Sequence, residues 1–192
     1  MLELLPNAHP ATRLAMTEPE VTICPNYLSS NAATDLYFQL RDRIDWDERI
    51  SARKTACFGL PYNYSGLIYE NQPMHPLLRP LCLRLQETLG FEPNSCLINY
   101  YEDGRSKMGF HSDEIDNLEN GTSIIVISLG TERKLSFRST VDYTQRYSYV
   151  LPHGSLLCMS QNTQRFWSHA LKRANVLDGR ISLTLRRIVQ QS

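Results

Sequence analysis

Neither sign of charge is in excess along this chain: Lys plus Arg total 20, and so do Asp plus Glu. No overall field draws it toward a polyanion or an acidic membrane surface, so any anion binding has to be local. No stretch approaches the roughly 18 consecutive apolar residues of a membrane span. The start, MLELLPNAHPATRLAMTEPE, lacks a cationic segment followed by an apolar one. The expectation is a cytoplasmic protein with no membrane partner. The five cysteines (Cys24, Cys57, Cys82, Cys96 and Cys158) are odd in number and scattered, and none forms a CxxC pair. That excludes a zinc ribbon or a disulfide framework and predicts reduced, buried thiols. Internal repeats and low-complexity tracts are also missing.

What is present is an ordinary globular composition, 42% hydrophobic and 21% charged in 192 residues. This length suits one domain. Residues 1–20 carry prolines without periodicity and are expected to be an N-terminal extension to a single domain over 21–192. After Ser29-Ser30, a capping pair, Ala33, Leu36, Tyr37, Leu40 and Ile44 recur at helical spacing. A second helix is predicted from near Pro76 to a stop at Gly90, with Leu77, Leu78, Leu81, Leu85 and Leu89 along one side. Pro80 falls in or near its first turn.

From Ser95 the period changes to two. Segments 95–101, 123–129, 133–138, 145–151, 154–159 and 180–188 are strand-length and rich in Ile, Leu, Val, Tyr and Phe, with turn signals such as Asp103-Gly104 and Asn120-Gly121 between them. Two helices followed by many short strands predict a mainly β, α+β fold in which helices lie on an antiparallel sandwich or jelly roll.

Chemistry gathers in three places. In Gly109-Phe110-His111-Ser112-Asp113 an imidazole and a carboxylate stand two residues apart, on one face if the segment is a strand. His169 offers a second imidazole. In the strand Arg180-Ile181-Ser182-Leu183-Thr184-Leu185-Arg186 one face is apolar, and the other carries Arg180, Ser182, Thr184 and Arg186. That polar face either meets solvent at a sheet edge or enters a pocket, where guanidinium arms grip a dicarboxylate. Two histidines and one carboxylate leave three positions open on a metal, which suits Fe(II) binding an oxo acid and then oxygen. Zinc is the alternative, and it leaves the arginines without a task.

These residues have a familiar order. Asn99-Tyr100-Tyr101-Glu102-Asp103-Gly104, His111-Ser112-Asp113 and Ser123-Ile124-Ile125-Val126-Ile127-Ser128-Leu129-Gly130 resemble the AlkB-like 2-oxoglutarate-dependent dioxygenases. So do His153-Gly154-Ser155-Leu156-Leu157, Trp167-Ser168-His169 and the 180–186 strand, and the likeness runs over about residues 50–188. The resemblance implies a cupin-like double-stranded β-helix with Fe(II) held by His111, Asp113 and His169. It implies 2-oxoglutarate bound by Asn99, Tyr101, Arg180, Ser182 and Arg186, with oxygen as the third reactant. Similar sequences commonly carry Asn where this chain has Ser182.

Residues 49–69 interleave basic and aromatic side chains, and Tyr62-Asn63-Tyr64-Ser65-Gly66 resembles the substrate lid of AlkB-like repair enzymes. Arg53, Tyr62 and Tyr64 are therefore candidates for holding an alkylated DNA or RNA base. Ile115 occupies a position that is usually acidic in repair members and close to the lesion. The leading expectation is oxidative demethylation of N-alkylated bases. The alternative is hydroxylation of a small molecule or a protein side chain by the same chemistry.

Overall fold

A computed structural model describes residues 17–61 and 69–189. The chain runs β1 (Val21–Cys24), α1 (Ser30–Arg43), β2 (Lys54–Gly59), α2 (Arg79–Leu89), β3 (Ser95–Tyr101), β4 (Met108–His111), β5 (Ile124–Gly130) and β6 (Arg133–Ser139). It continues through β7 (Arg146–Leu151), β8 (Ser155–Met159), α3 (Gln161–Phe166), β9 (Trp167–Leu171) and β10 (Arg180–Arg186). Six strands form a major sheet in the order β1-β8-β5-β10-β3-β2, and four form a minor sheet in the order β4-β9-β6-β7. All recorded strand pairs are antiparallel. This is the expected jelly roll, with α1 and α2 packed on one face of the major sheet. Among the described residues no helix is long and apolar enough to cross a membrane.

The alternation read from the sequence sorts side chains between two cores. Ile125, Ile127 and Leu129 of β5 and Ile181, Leu183 and Leu185 of β10 join Ala33, Leu40, Leu81 and Leu85 of the helices. The opposite faces of β5 and β8 supply Ile124, Val126, Leu157 and Met159 to the space between the sheets, where they meet Leu135, Phe137 and Trp167. β10 sits between β5 and β3, and every one of its residues is buried. Its polar face therefore looks into the sandwich and not out to solvent. Leu183 has no exposed surface.

Helix α1 is capped as expected, the Ser29 hydroxyl accepting from Ala32 N at 3.4 Å. Helix α2 starts at Arg79, three residues after Pro76. Its entry is a turn in which Leu78 N donates to His75 O at 2.8 Å, and Pro80 lies in the first turn where its missing N–H costs no bond. Gly90 ends it in a left-handed conformation, φ 81°. Of the five cysteines Cys57, Cys82 and Cys96 are buried, whereas Cys24 is exposed.

Gly130 closes β5 with φ +84°, and a Cβ there would lie 2.4 Å from Gly179 O and 2.8 Å from the Tyr37 ring. Gly121 has a similar φ of +79° with open space around it. Gly121→Ala is expected to cost only the left-handed backbone strain, about 1 kcal/mol. Gly130→Ala adds a clash with backbone and should cost clearly more. Urea midpoints of the two variants check this, and equal losses would remove the close approach as the reason for Gly130.

Candidate metal and co-substrate centre

Strands β4 and β9 pair so that His111 stands opposite His169. Their rings lie 4.2 Å apart between centroids, tilted by 57°. Strand β4 ends at His111, so Asp113 is on the following loop and not on the strand itself. The loop is fixed from α3: Asp113 N donates to Gln164 Oε1 at 2.9 Å, while Ser112 Oγ donates to Trp167 O at 3.0 Å. The result is that His111 Nε2 is 3.9 Å from Asp113 Oδ1 and His169 Nε2 is 3.9 Å from Asp113 Oδ2. One ligating atom from each of the three residues lies within 4.8 Å of the others.

Protonation follows from this packing. Burial pushes His169 down to about 4, against the weaker pull of Asp113, and burial lowers His111 as well. Both rings are therefore neutral near pH 7. His111 Nδ1 is 2.9 Å from Gly109 O, an atom that can only accept, so this nitrogen carries the proton and Nε2 presents its lone pair. For Asp113 burial acts upward, but the opposing charge of Arg186, the first of the lowering influences, helps hold the carboxyl below its usual range. Neutral rings cannot neutralise the carboxylate they face, and Asp113 Oδ2, buried, has no hydrogen-bond partner among the described residues. Two neutral imidazoles and a buried carboxylate oxygen that meets no donor among the described residues are a donor set for a divalent cation, and this set fits Fe(II).

The same cleft is lined by Asn99, Tyr101, Arg180, Ser182 and Arg186. All five residues expected for the co-substrate thus come together with the triad. Pairing brings them there, since Ser182 is opposite Asn99 and Arg180 opposite Tyr101 across β10 and β3. Arg180 is only 2% exposed. Burial pulls its guanidinium down to about 10, so it stays charged at neutral pH, yet among the described residues it meets no carboxylate. Its fixed contacts are the Ser128 hydroxyl at 2.8 Å and the Tyr101 ring, whose centroid is 5.6 Å away. A buried cation without a counter-ion is costly unless an anionic ligand completes it, which suits a dicarboxylate. Arg186 lies deeper, its Nη2 3.0 Å from Asp113 Oδ1.

The substrate candidates scatter. Tyr62 and Tyr64 lie outside the described residues. Arg53 is buried, and its Nε donates to Asn99 Oδ1 at 2.7 Å, which puts it against the co-substrate residues. Ile115 packs its partly buried side chain on the core between the sheets. Sequence reasoning missed Ser128 and Gln164. Ser128 had a faint signal as the hydroxyl interrupting the apolar run of β5, in phase with Val126. Gln164 had none.

The model of the 2OG-Fe(II) oxygenase superfamily matches residues 20–186. The chain belongs to that superfamily. It is an AlkB-like member: it is 31% identical over 188 residues to alpha-ketoglutarate-dependent dioxygenase alkB homolog 3 of Bos taurus, covering 88% of this chain and 66% of the relative. It is 36% identical over 148 residues to the DNA oxidative demethylase ALKBH2 of Bos taurus, covering 71% of this chain and 53% of that one. The chain thus spans two thirds or less of the length of these curated relatives. The solved structure of OsALKBH1 matches the fold with a TM-score of 0.63 at 17% identity, over 88% of this chain and 99% of that one. Membership of this superfamily implies Fe(II), 2-oxoglutarate and oxygen as the reactants of the centre, and the triad and the buried arginines fit the first two.

Proposed function

We propose that this protein is an Fe(II)/2-oxoglutarate-dependent dioxygenase that removes alkyl groups oxidatively from N-alkylated bases of DNA or RNA. The observation that carries the reading is the single cleft in which a pair of neutral histidines and one carboxylate face the buried Arg180, which meets no carboxylate among the described residues. His111 Nε2, His169 Nε2 and Asp113 hold the metal. Asn99, Tyr101, Arg180, Ser182 and Arg186 hold the two carboxylates of 2-oxoglutarate, and Val126, Leu135 and Leu171, which line the same cleft, exclude water from it. Iron with 2-oxoglutarate and oxygen supplies the oxidising power for hydroxylating an alkyl carbon. A hydroxylated N-methyl group then leaves as formaldehyde.

The choice of a nucleic-acid substrate has support beyond the names of the relatives. The chain is neutral as a whole, but the four strands of the minor sheet contain no Asp or Glu. Lys134, Arg138 and Arg146 project from its outer face, and Lys172 follows β9. The Arg138 guanidinium stacks over Phe110 at 4.3 Å and Tyr143 at 4.9 Å, and Lys172 lies 5.5 Å from the Phe110 ring centre. A cationic, aromatic surface on the sheet that also carries His111 and His169 suits a phosphate backbone leading into the cleft.

The expected result is formaldehyde, formed in step with succinate, from single strands carrying N-methylated adenine or cytosine. Charge reversal by the pair Lys134→Glu and Lys172→Glu should weaken strand binding by about tenfold or more at low salt and flatten its salt dependence. Substrate-free decarboxylation of 2-oxoglutarate should not change. Ile115, apolar and packed on the core, favours the second reading, hydroxylation of a small molecule or a protein side chain. An enzyme that decarboxylates 2-oxoglutarate but ignores every methylated strand, even as Ile115→Asp, takes that second reading.

A further inference from the structure

Arg53 immediately precedes β2, and β2 pairs with β3 so that Thr55 is opposite Asn99. The guanidinium is thereby delivered to the Asn99 side chain. Arg53 is 7% exposed and Asn99 3%, and the Nε–Oδ1 distance is 2.7 Å. A side chain so buried is poorly placed to grip a polymer substrate, the role for which its basic, aromatic neighbourhood made it a candidate.

The chemistry of the contact fixes more than a distance. A guanidinium only donates hydrogen bonds, whereas a carboxamide accepts at one end and donates at the other. With Arg53 donating, the Asn99 oxygen is turned toward it, and the planar amide must present its NH2 on the other side. That side is the cleft, where Tyr101, Arg180 and Arg186 also offer donors. The Asn99 NH2 then joins the guanidinium groups of Arg180 and Arg186 as a donor in a cleft suited to an anion. The opposite amide orientation would place an oxygen lone pair against a carboxylate, replacing an attraction by a repulsion.

We propose that Arg53 is a positioning residue for 2-oxoglutarate: it locks the Asn99 amide in the orientation that donates to the co-substrate carboxylate. The inference rests on the co-substrate reading of the cleft. Arg53 itself does not touch 2-oxoglutarate, and its effect passes through Asn99.

The test is a double-mutant cycle read by equilibrium binding of 2-oxoglutarate to the Fe(II)-loaded protein and by KM against kcat. Arg53→Met should weaken 2-oxoglutarate binding by about tenfold or more, the usual effect of losing a charge-assisted hydrogen bond. Fe(II) affinity and kcat at saturating 2-oxoglutarate should stay within about twofold, the level at which independent sites are treated as additive. Asn99→Ala should cost as much, and adding Arg53→Met to it should cost almost nothing further. Arg53→Lys, which keeps a donor, should recover part of the loss.

Full additivity of the two substitutions would overturn the proposal, as would unchanged 2-oxoglutarate binding with a raised KM for a methylated oligonucleotide. If Arg53→Met does not fold, the Arg53→Lys and Asn99→Asp variants carry the test. Asn99→Asp keeps an acceptor for Arg53 but offers no donor to the cleft, so it should lose 2-oxoglutarate while keeping iron, and normal binding in that variant sinks the idea. Arg180→Met is the reference: if it too binds 2-oxoglutarate normally, the co-substrate reading fails and not only the role of Arg53.

Discussion

Replacing His169 by alanine is expected to abolish iron-dependent turnover and to cost more than about a hundredfold in Fe(II) affinity, since losing even an outer partner of a metal ligand costs about 10 to 100-fold. The expectation rests on how little else can substitute. His169 is buried between the sheets, its Nε2 is 3.9 Å from Asp113 Oδ2, and Phe137 stacks beside it with ring centres 5.7 Å apart. No other His, Cys, Asp or Glu among the described residues joins the group. His111→Ala and Asp113→Asn should behave alike, and Asp113→Asn is the gentler probe because the bond to Gln164 comes from the backbone and survives. Iron content after anaerobic reconstitution and succinate release measure the loss, with thermal melts checking that the fold persists. A His169→Ala protein that holds stoichiometric iron and releases succinate normally would falsify the triad.

Those three residues were legible in the sequence through the family resemblance, since a His-x-Asp pair is common by itself, and the polar face of β10 because period-two alternation marks it. Helix α1 was legible because its cap, its stripe and its end agree. Other features exist only once distant strands are paired. Strand β9 is buried at every residue and has no alternation to read. Strand β2 was hidden in a basic, aromatic stretch that looked like a surface lid. The two-residue spacing puts Asp113 on one face with His111 only if the strand continues, but β4 stops at His111 after a register irregularity, and the carboxylate reaches the site through the bond of its backbone to Gln164. The partner of Arg53 lies 46 residues away, so composition read a substrate contact where the fold makes a bond to Asn99. The same step from sequence to pairing decides the β10 arginines, since alternation alone leaves solvent or pocket open and only the central place of the strand chooses.

Arg180→Met and Arg186→Met are expected to raise the 2-oxoglutarate requirement steeply, each by roughly 2 to 5 kcal/mol, the cost of leaving a buried charge without its hydrogen-bonded partner. Their effects on iron should differ, because their surroundings differ. Arg180 meets the Ser128 hydroxyl and the Tyr101 ring but no carboxylate among the described residues, so its loss should leave Fe(II) binding intact. Arg186 also serves the metal side, 3.0 Å from Asp113 Oδ1. For Asp113 burial acts to raise the carboxyl, and Arg186 leads the cations that hold it down. Without Arg186 burial gains the upper hand, the carboxyl binds a proton more readily, and a protonated acid is a poor ligand. Iron binding by Arg186→Met should therefore weaken as pH falls below neutral, while wild type and Arg180→Met stay nearly level down to about pH 5.5, above the usual carboxylate range. Anaerobic Fe(II) titrations at two pH values, with 2-oxoglutarate binding measured in parallel, separate the two roles. Unchanged 2-oxoglutarate affinity in both variants would remove these arginines from the co-substrate site, and equal pH sensitivity in both would show that the contact between Arg186 and Asp113 has no part in holding the metal ligand ionised.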